Sequence, residues 1–227
     1  MSIRQGEVMA FFTNRTEAGQ KLASALQGVA DKDALVLAVP RGGVVVGYEV
    51  ARALNLELDV IITKKIGAPG NPELAIGAVA EDGFALVDAA LVSMVRAPKD
   101  YVEAETERQT AEIQRRLKSY RQNQPTPKIA GRQVILVDDG IATGSTLTAA
   151  IRSLKKRGAK TVTVAVPVGP PEVIRNLKQK ADQVVCLFTP EPFYAIGEFY
   201  DDFDQTTDQE VIELLSLCRK QKAKVTN

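Results

Sequence analysis

Five short runs of branched apolar residues punctuate the chain: Ala34 to Val39, Leu58 to Thr63, Val134 to Asp138, Thr161 to Val166 and Val184 to Phe188. Each has the length of a strand, and each is apolar throughout rather than alternating, the pattern of strands buried on both faces. Between them lie segments with helical periodicity: Thr16 to Leu26, Val44 to Leu54, Ser145 to Arg157 and Pro171 to Lys180. Strands joined by helix-length crossovers predict an α/β fold, a mostly parallel sheet with helices on both faces. Ligands in such sheets sit at the carboxyl ends of the strands. Function is therefore expected at Val39-Pro40-Arg41-Gly42-Gly43, Thr63-Lys64-Lys65 and Asp138-Asp139-Gly140.

Two stretches break the alternation. Gly67 to Asn71 is a Gly/Pro/Asn-rich loop leading into Leu74 to Val79, with Ala85 to Val87 placed to pair with that run as a hairpin. Pro98 to Gln122 then reads as one long helix, with Pro98 near its start and Pro125 and Pro127 beyond its end. Glu105/Arg108 and Glu112/Arg116 are spaced to pair along it, and its apolar residues are Tyr101, Val102, Ile113, Leu117 and Tyr120. It is expected to lie solvated across the sheet, a homodimer contact being the alternative. No repeat or linker divides the chain. Residues 1–227 are expected to form one domain, with an insertion over about 66–127.

Composition narrows the chemistry. The 29 basic and 28 acidic side chains nearly cancel, which argues against bulk electrostatic binding to nucleic acid or to an anionic membrane. Histidine is absent, which removes Ser-His-Asp and Cys-His catalysis, histidine bases and the zinc sites built on histidine. Cys186 and Cys218 are too few for a disulfide framework or an all-cysteine zinc site. No run reaches the ~18 apolar residues of a membrane span. The first twelve residues lack the features of a secretory leader, so a cytoplasmic location is expected. Carboxylates, Lys, Arg, hydroxyls, backbone amides and a hard cation such as magnesium remain.

The strongest local signal is Val134-Ile135-Leu136-Val137-Asp138-Asp139-Gly140-Ile141-Ala142-Thr143-Gly144-Ser145-Thr146. An apolar strand ends in two acids, and a Gly/Thr/Ser loop then opens a helix. The unpartnered amides of a helix N-terminus, together with hydroxyls, cradle a phosphate. The helix dipole adds only ~0.3–1 kcal/mol, whereas each charge-assisted hydrogen bond contributes ~1.5–3 kcal/mol. Ionised carboxylates only accept, which suits a sugar diol or hydrated magnesium. Phosphate and diol together point to a ribose 5-phosphate.

This segment resembles the phosphoribosyl diphosphate (PRPP) motif of type I phosphoribosyltransferases. The resemblance implies that Asp138 and Asp139 hold the ribose hydroxyls, directly or through Mg2+, and that Gly140, Ile141, Ala142, Thr143, Gly144, Ser145 and Thr146 bind the 5-phosphate. No Gly-Lys-Ser/Thr follows the spaced glycine, so it is not a P-loop of the NTPase kind. Ala38 to Gly43 matches separately. Two glycines let amides approach an anion, and Arg41 supplies a permanent charge with several donors. In the family this is the diphosphate loop, here Pro40, Arg41, Gly42 and Gly43, often with a cis peptide before its basic residue, which maps to Pro40–Arg41.

The resemblance further implies a flexible loop over Ile66 to Glu73, with Lys64 neutralising the departing diphosphate; a solvated lysine pair is the plain alternative. It also implies a C-terminal hood over about 188–206. Five of the chain's twelve aromatics fall between Pro190 and Phe203. Phe193, with Tyr194, would stack on the acceptor, although aromatics this dense also form satellite cores. One position departs from the pattern. Where hypoxanthine/guanine enzymes place an acid three residues after the acid pair, this chain has Ala142, as adenine-type enzymes do. The expected activity is Mg2+-dependent transfer of phosphoribose from PRPP to a nitrogenous acceptor, a nucleobase, through Asp138, Asp139, Arg41 and Lys64, with release of diphosphate. A non-catalytic PRPP-binding regulator is the main alternative. A PRPP-making diphosphokinase is disfavoured by the short chain and the missing ATP site.

Overall fold

The computed structural model describes residues 11–122 and 124–226; the stretch 1–10, most of the segment weighed above for a leader, lies outside them. Five strands form the main sheet: β1 (Leu35–Ala38), β2 (Glu57–Val60), β6 (Gln133–Val137), β7 (Thr161–Val168) and β8 (Gln183–Phe188). Their order is β2-β1-β6-β7-β8 and every pairing is parallel. Helices cover both faces. Val36, Ala38, Ile135 and Val137 pack with α1 (Arg15–Leu26), α2 (Gly42–Leu54) and α7 (Asp208–Thr226). Leu35, Leu37, Val134 and Leu136 point the other way, to α5 (Ser145–Lys156) and α6 (Pro171–Lys178). Burial on both faces is why these strands read as unbroken apolar runs.

The run Leu58 to Thr63 is not one strand. β2 stops at Val60, Ile61 donates one more backbone bond to Ala38 O at 3.0 Å, and the chain then enters a second sheet. That sheet is antiparallel, in the order β3 (Thr63–Ala68), β4 (Asn71–Ala80) and β5 (Ala85–Val87). The two sheets each demand buried residues, so apolarity gives no sign of the switch. The expected flexible loop is thereby corrected: Ile66 to Glu73 belongs to the β3–β4 hairpin, which turns at Pro69-Gly70 with Gly70 at φ 73° and buries Ile66, Gly67 and Ala68. Ala85–Val87 pairs with β4 as expected. A short helix that the periodicity does not announce, α3 (Ala89–Met94), follows, capped by Asp88.

The long helix is α4 (Lys99–Arg121), bounded by Pro98 and by Gln122 in the left-handed region. It does not lie across the parallel sheet. Its contacts are with the β3–β4 hairpin, α7 and β2, and it buries Ile113, Leu117 and Tyr120. Tyr101 Oη donates to Gly67 O at 3.1 Å near the hairpin turn. At the other end the Arg121 guanidinium is buried between Asp59 Oδ2 (2.8 Å) and Glu81 Oε2 (3.2 Å), and Arg157 also pairs with Glu81.

Candidate active site

β1 and β6 are neighbours, with Ala38 opposite Val137, so the loops that follow them emerge side by side. Val39 N donates to Val137 O at 2.9 Å, holding the two exits together. The Pro40–Arg41 peptide is cis, as the resemblance implied. Gly42 and Gly43 open α2 directly against the acid pair. A Cβ on Gly43 would lie 2.9 Å from Asp138 Oδ1, and one on Gly42 would fall inside the Asp139 carboxylate. The glycines thus make room for the acids themselves, beyond any approach to an anion.

After the acids the chain turns through Gly140 to Gly144, and Gly144, at φ 72°, caps α5. Thr143 Oγ1 and Ser145 Oγ lie 3.2 Å apart at this helix start. Asp138, the 140–144 turn, Thr146 and Ile196 enclose a crevice of about 200 Å3. The structure therefore gathers one predicted acid and most of the predicted phosphate loop around a single cavity.

The two acids differ. Asp139 is largely buried, its Oδ2 accepting from Arg15 Nε at 2.7 Å and its carbonyl accepting from Tyr200 Oη at 2.5 Å. Asp138 faces the crevice, and its Oδ1 accepts from the Asp139 amide at 2.9 Å. Burial, and then the charge of Asp139, raise the proton affinity of Asp138 well above the usual carboxylate range, with Arg15 acting in the opposite sense. Burial and the same acids also push the Tyr200 phenol upward. Arg15 and Tyr200 were not expected at this site. No motif surrounds Arg15, and Tyr200 carried no signal beyond its membership of an aromatic-rich stretch.

Other predicted residues are placed differently. Arg41 stands half-exposed at the N-cap of α2, with Nη1 3.9 Å from Asp208 Oδ1. Lys64 is not at a loop tip. It lies within β3 and lines a groove with Arg108 and Arg115 of α4, apart from the Asp138 crevice. Lys65 pairs with Glu73 at 2.7 Å. Phe193 packs on Phe199 with centroids 5.0 Å apart, in the satellite core of Phe12, Phe199 and Tyr200. Tyr194 is 75% exposed, and neither ring lines the crevice. Stacking by Phe193 and Tyr194 over this crevice is thus not what the fold provides. The hood residue over the phosphate turn is Ile196, so close that a Cβ on Gly140 would lie 2.5 Å from its Cγ2.

Among the described residues no group of three or more acidic or sulfur side chains could hold a metal alone. Magnesium, however, commonly takes one or two carboxylates and completes its shell with phosphate oxygens and water. Asp138, whose Oδ1 takes the Asp139 amide and which borders the crevice, fits that limited share through Oδ2.

Residues 13–203 match the phosphoribosyl transferase domain model. The chain belongs to this family. Its phosphoribosyl transferase fold extends to a crystal structure from Thermus thermophilus, 43% identical, which superposes with a TM-score of 0.78 over 90% of this chain and 97% of that one. A Mycobacterium tuberculosis H37Rv protein named "Putative phosphoribosyl transferase" is 40% identical over 212 residues, 93% of this chain and 48% of the relative. The chain thus spans about half the length of this curated relative. A uracil phosphoribosyltransferase from Lactobacillus gasseri is 33% identical over 155 residues, covering 66% of this chain and 70% of that enzyme. Among the described residues of this phosphoribosyl transferase domain, no helix is long and apolar enough to cross a membrane.

Proposed function

We propose that this domain, acting as one unit, transfers the phosphoribosyl group of PRPP to a ring nitrogen of a nucleobase and releases diphosphate. The observation that carries this reading is the side-by-side exit of the Pro40–Gly43 and Asp138–Thr146 loops, with Asp138 on the crevice between the phosphate turn and Ile196. The 5-phosphate is held by the amides of the 140–146 turn and the hydroxyls of Thr143, Ser145 and Thr146. Asp138 accepts from the ribose hydroxyls. As the C1–O bond breaks, positive charge spreads over C1 and the ring oxygen, while negative charge grows on diphosphate. Arg41 and the amides of Gly42 and Gly43 are the donors beside the leaving group, and preorganised donors of this kind stabilise a developing anion most. The acceptor nitrogen forms the new bond to C1 and gives up its proton. Magnesium bound with PRPP would offset charge on the diphosphate, with Asp138 as its protein contact, directly or through water.

Lys64 drops out of this set, because it lies in the α4 groove rather than the crevice. The uracil-specific relative supports a pyrimidine base as the first acceptor to test, and Ala142 removes the acid that a 6-oxopurine would use. The test is a panel of nucleobases with PRPP and Mg2+, monitoring diphosphate and nucleotide together. Base-dependent release of both is expected. PRPP binding without release across the panel would instead make the domain a sensor, and absence of PRPP binding would overturn the reading.

A further inference from the structure

The acid pair is adjacent in sequence yet divided in space, and the division rests on a residue far from both loops. Asp139 turns beneath the start of α2, into the space that Gly42 leaves by having no side chain. A carboxylate so enclosed is costly without a partner. Arg15, the first residue of α1, meets that demand with Nε at 2.7 Å. Its Nη1 donates to Asp204 O at 2.7 Å, and its guanidinium lies over the Phe203 ring with Cζ 3.8 Å from the centroid. A planar cation with a fork of donors and an exposed face makes these three contacts at once; a lysine ammonium cannot. The backbone around Arg15 is tied to the same segment. Asp201 N donates to Phe12 O and Asp202 N to Thr13 O, both at 2.9 Å. Tyr200 closes the frame through its bond to Asp139 O.

We propose that Arg15 is a positioning residue: it holds Asp139 away from the crevice, leaves Asp138 as the carboxylate presented to substrate, and sets the 200–204 segment against the acid pair. The consequence for PRPP rests on the function proposed above; the consequence for the loop does not. Without the guanidinium, Asp139 loses its partner and swings toward solvent, which is the crevice, where it crowds Asp138 with a second negative charge. The Asp204 carbonyl and the Phe203 face are released together.

The experiment compares Arg15→Gln, Arg15→Lys, Asp139→Asn and the double variant Arg15→Gln/Asp139→Asn, with thermal unfolding to establish that each is folded. Calorimetry with PRPP and Mg2+ should show ~10-fold or greater weakening in Arg15→Gln, the scale of one lost charge-assisted bond. Arg15→Lys should recover only part of the loss. The double variant should return to within ~3-fold of Asp139→Asn alone, because a neutral amide needs no counter-ion. A merely structural arginine would give no such rescue. Unchanged affinity in folded Arg15→Gln, or no rescue in the double variant, would overturn the proposal. Amide NMR spectra of the ligand-free proteins give a readout independent of PRPP. Arg15→Gln should displace the signals of 138–146 and 200–204 together. If wild-type protein fails to bind PRPP, the transferase reading falls and these spectra alone decide the role of Arg15; a spectrum unchanged in both segments would refute it.

Discussion

Gly43 and Asp138 stand so close that a Cβ on the glycine would lie 2.9 Å from the Asp138 carboxylate oxygen. They belong to loops after different strands, β1 and β6, that run side by side in the sheet. Gly43→Ala is therefore expected to displace Asp138 rather than merely stiffen a turn. Overpacking of this kind costs ~1–3 kcal/mol. Thermal unfolding should show that loss, and calorimetry should show PRPP affinity falling further than stability alone explains. Wild-type PRPP affinity in Gly43→Ala would show that the two loops do not share one ligand.

The two acids should not respond alike to neutralisation. Asp138→Asn removes the carboxylate on the crevice and should weaken PRPP binding by ~10-fold or more, at ~1.5–3 kcal/mol for each charged hydrogen bond lost. Asp139→Asn leaves Arg15 without its anion, so its larger effect should be on unfolding temperature. Equal losses of PRPP affinity in the two folded variants would contradict the division seen between them.

Acceptor choice turns on Ala142 and Ile196. Ala142 cannot take a proton, and general-base help is typically worth ~10²–10⁴-fold. Hypoxanthine and guanine are thus expected to be poor acceptors, and rapid turnover of guanine would exclude this reading. Ile196→Ala should reduce acceptor use, because this side chain roofs the phosphate turn. Phe193→Ala should instead lower stability, since its ring packs on Phe199. Steady-state kinetics and unfolding of both variants separate these roles.

The buried pairs around Arg121 give a pH dependence with a definite sign. Burial raises the proton affinity of Asp59 above its ordinary value, and Arg121 opposes that rise. Asp59 Oδ1 has no hydrogen-bond partner. Arg121→Met removes the opposing charge, so the folded-state pKa of Asp59 climbs further above the unfolded one. The folded state then binds the proton more tightly, and stability is lost as pH rises through the folded pKa. The deficit against wild type, ~3–5 kcal/mol at neutral pH for a broken buried pair, should shrink toward about pH 4. Urea unfolding across that range measures it. A deficit that grew on acidification would contradict the assignment.

Much of this molecule was legible one segment at a time. Unbroken apolar runs marked β1, β6, β7 and β8, because strands covered on both faces need no polar residues. Pro98 and Gln122 bracketed α4, because a proline opens a helix easily and a left-handed residue ends it. The acid pair and both glycine loops announced themselves, because phosphate and sugar recognition needs several groups within a few residues. Only the tertiary structure decided the rest. Arg15 and Asp139 are 124 positions apart, and nothing local to either names the other. They meet because the β2-β1-β6-β7-β8 order sets the loop after β6 beside α2, while backbone bonds tie the 200–204 segment to the start of α1. The same holds for the end of β2, for the hairpin in place of a flexible loop, and for Lys64 and Phe193 lying outside the crevice. A residue type limits the chemistry a position can perform, but the direction its side chain takes is chosen by packing against elements distant in sequence.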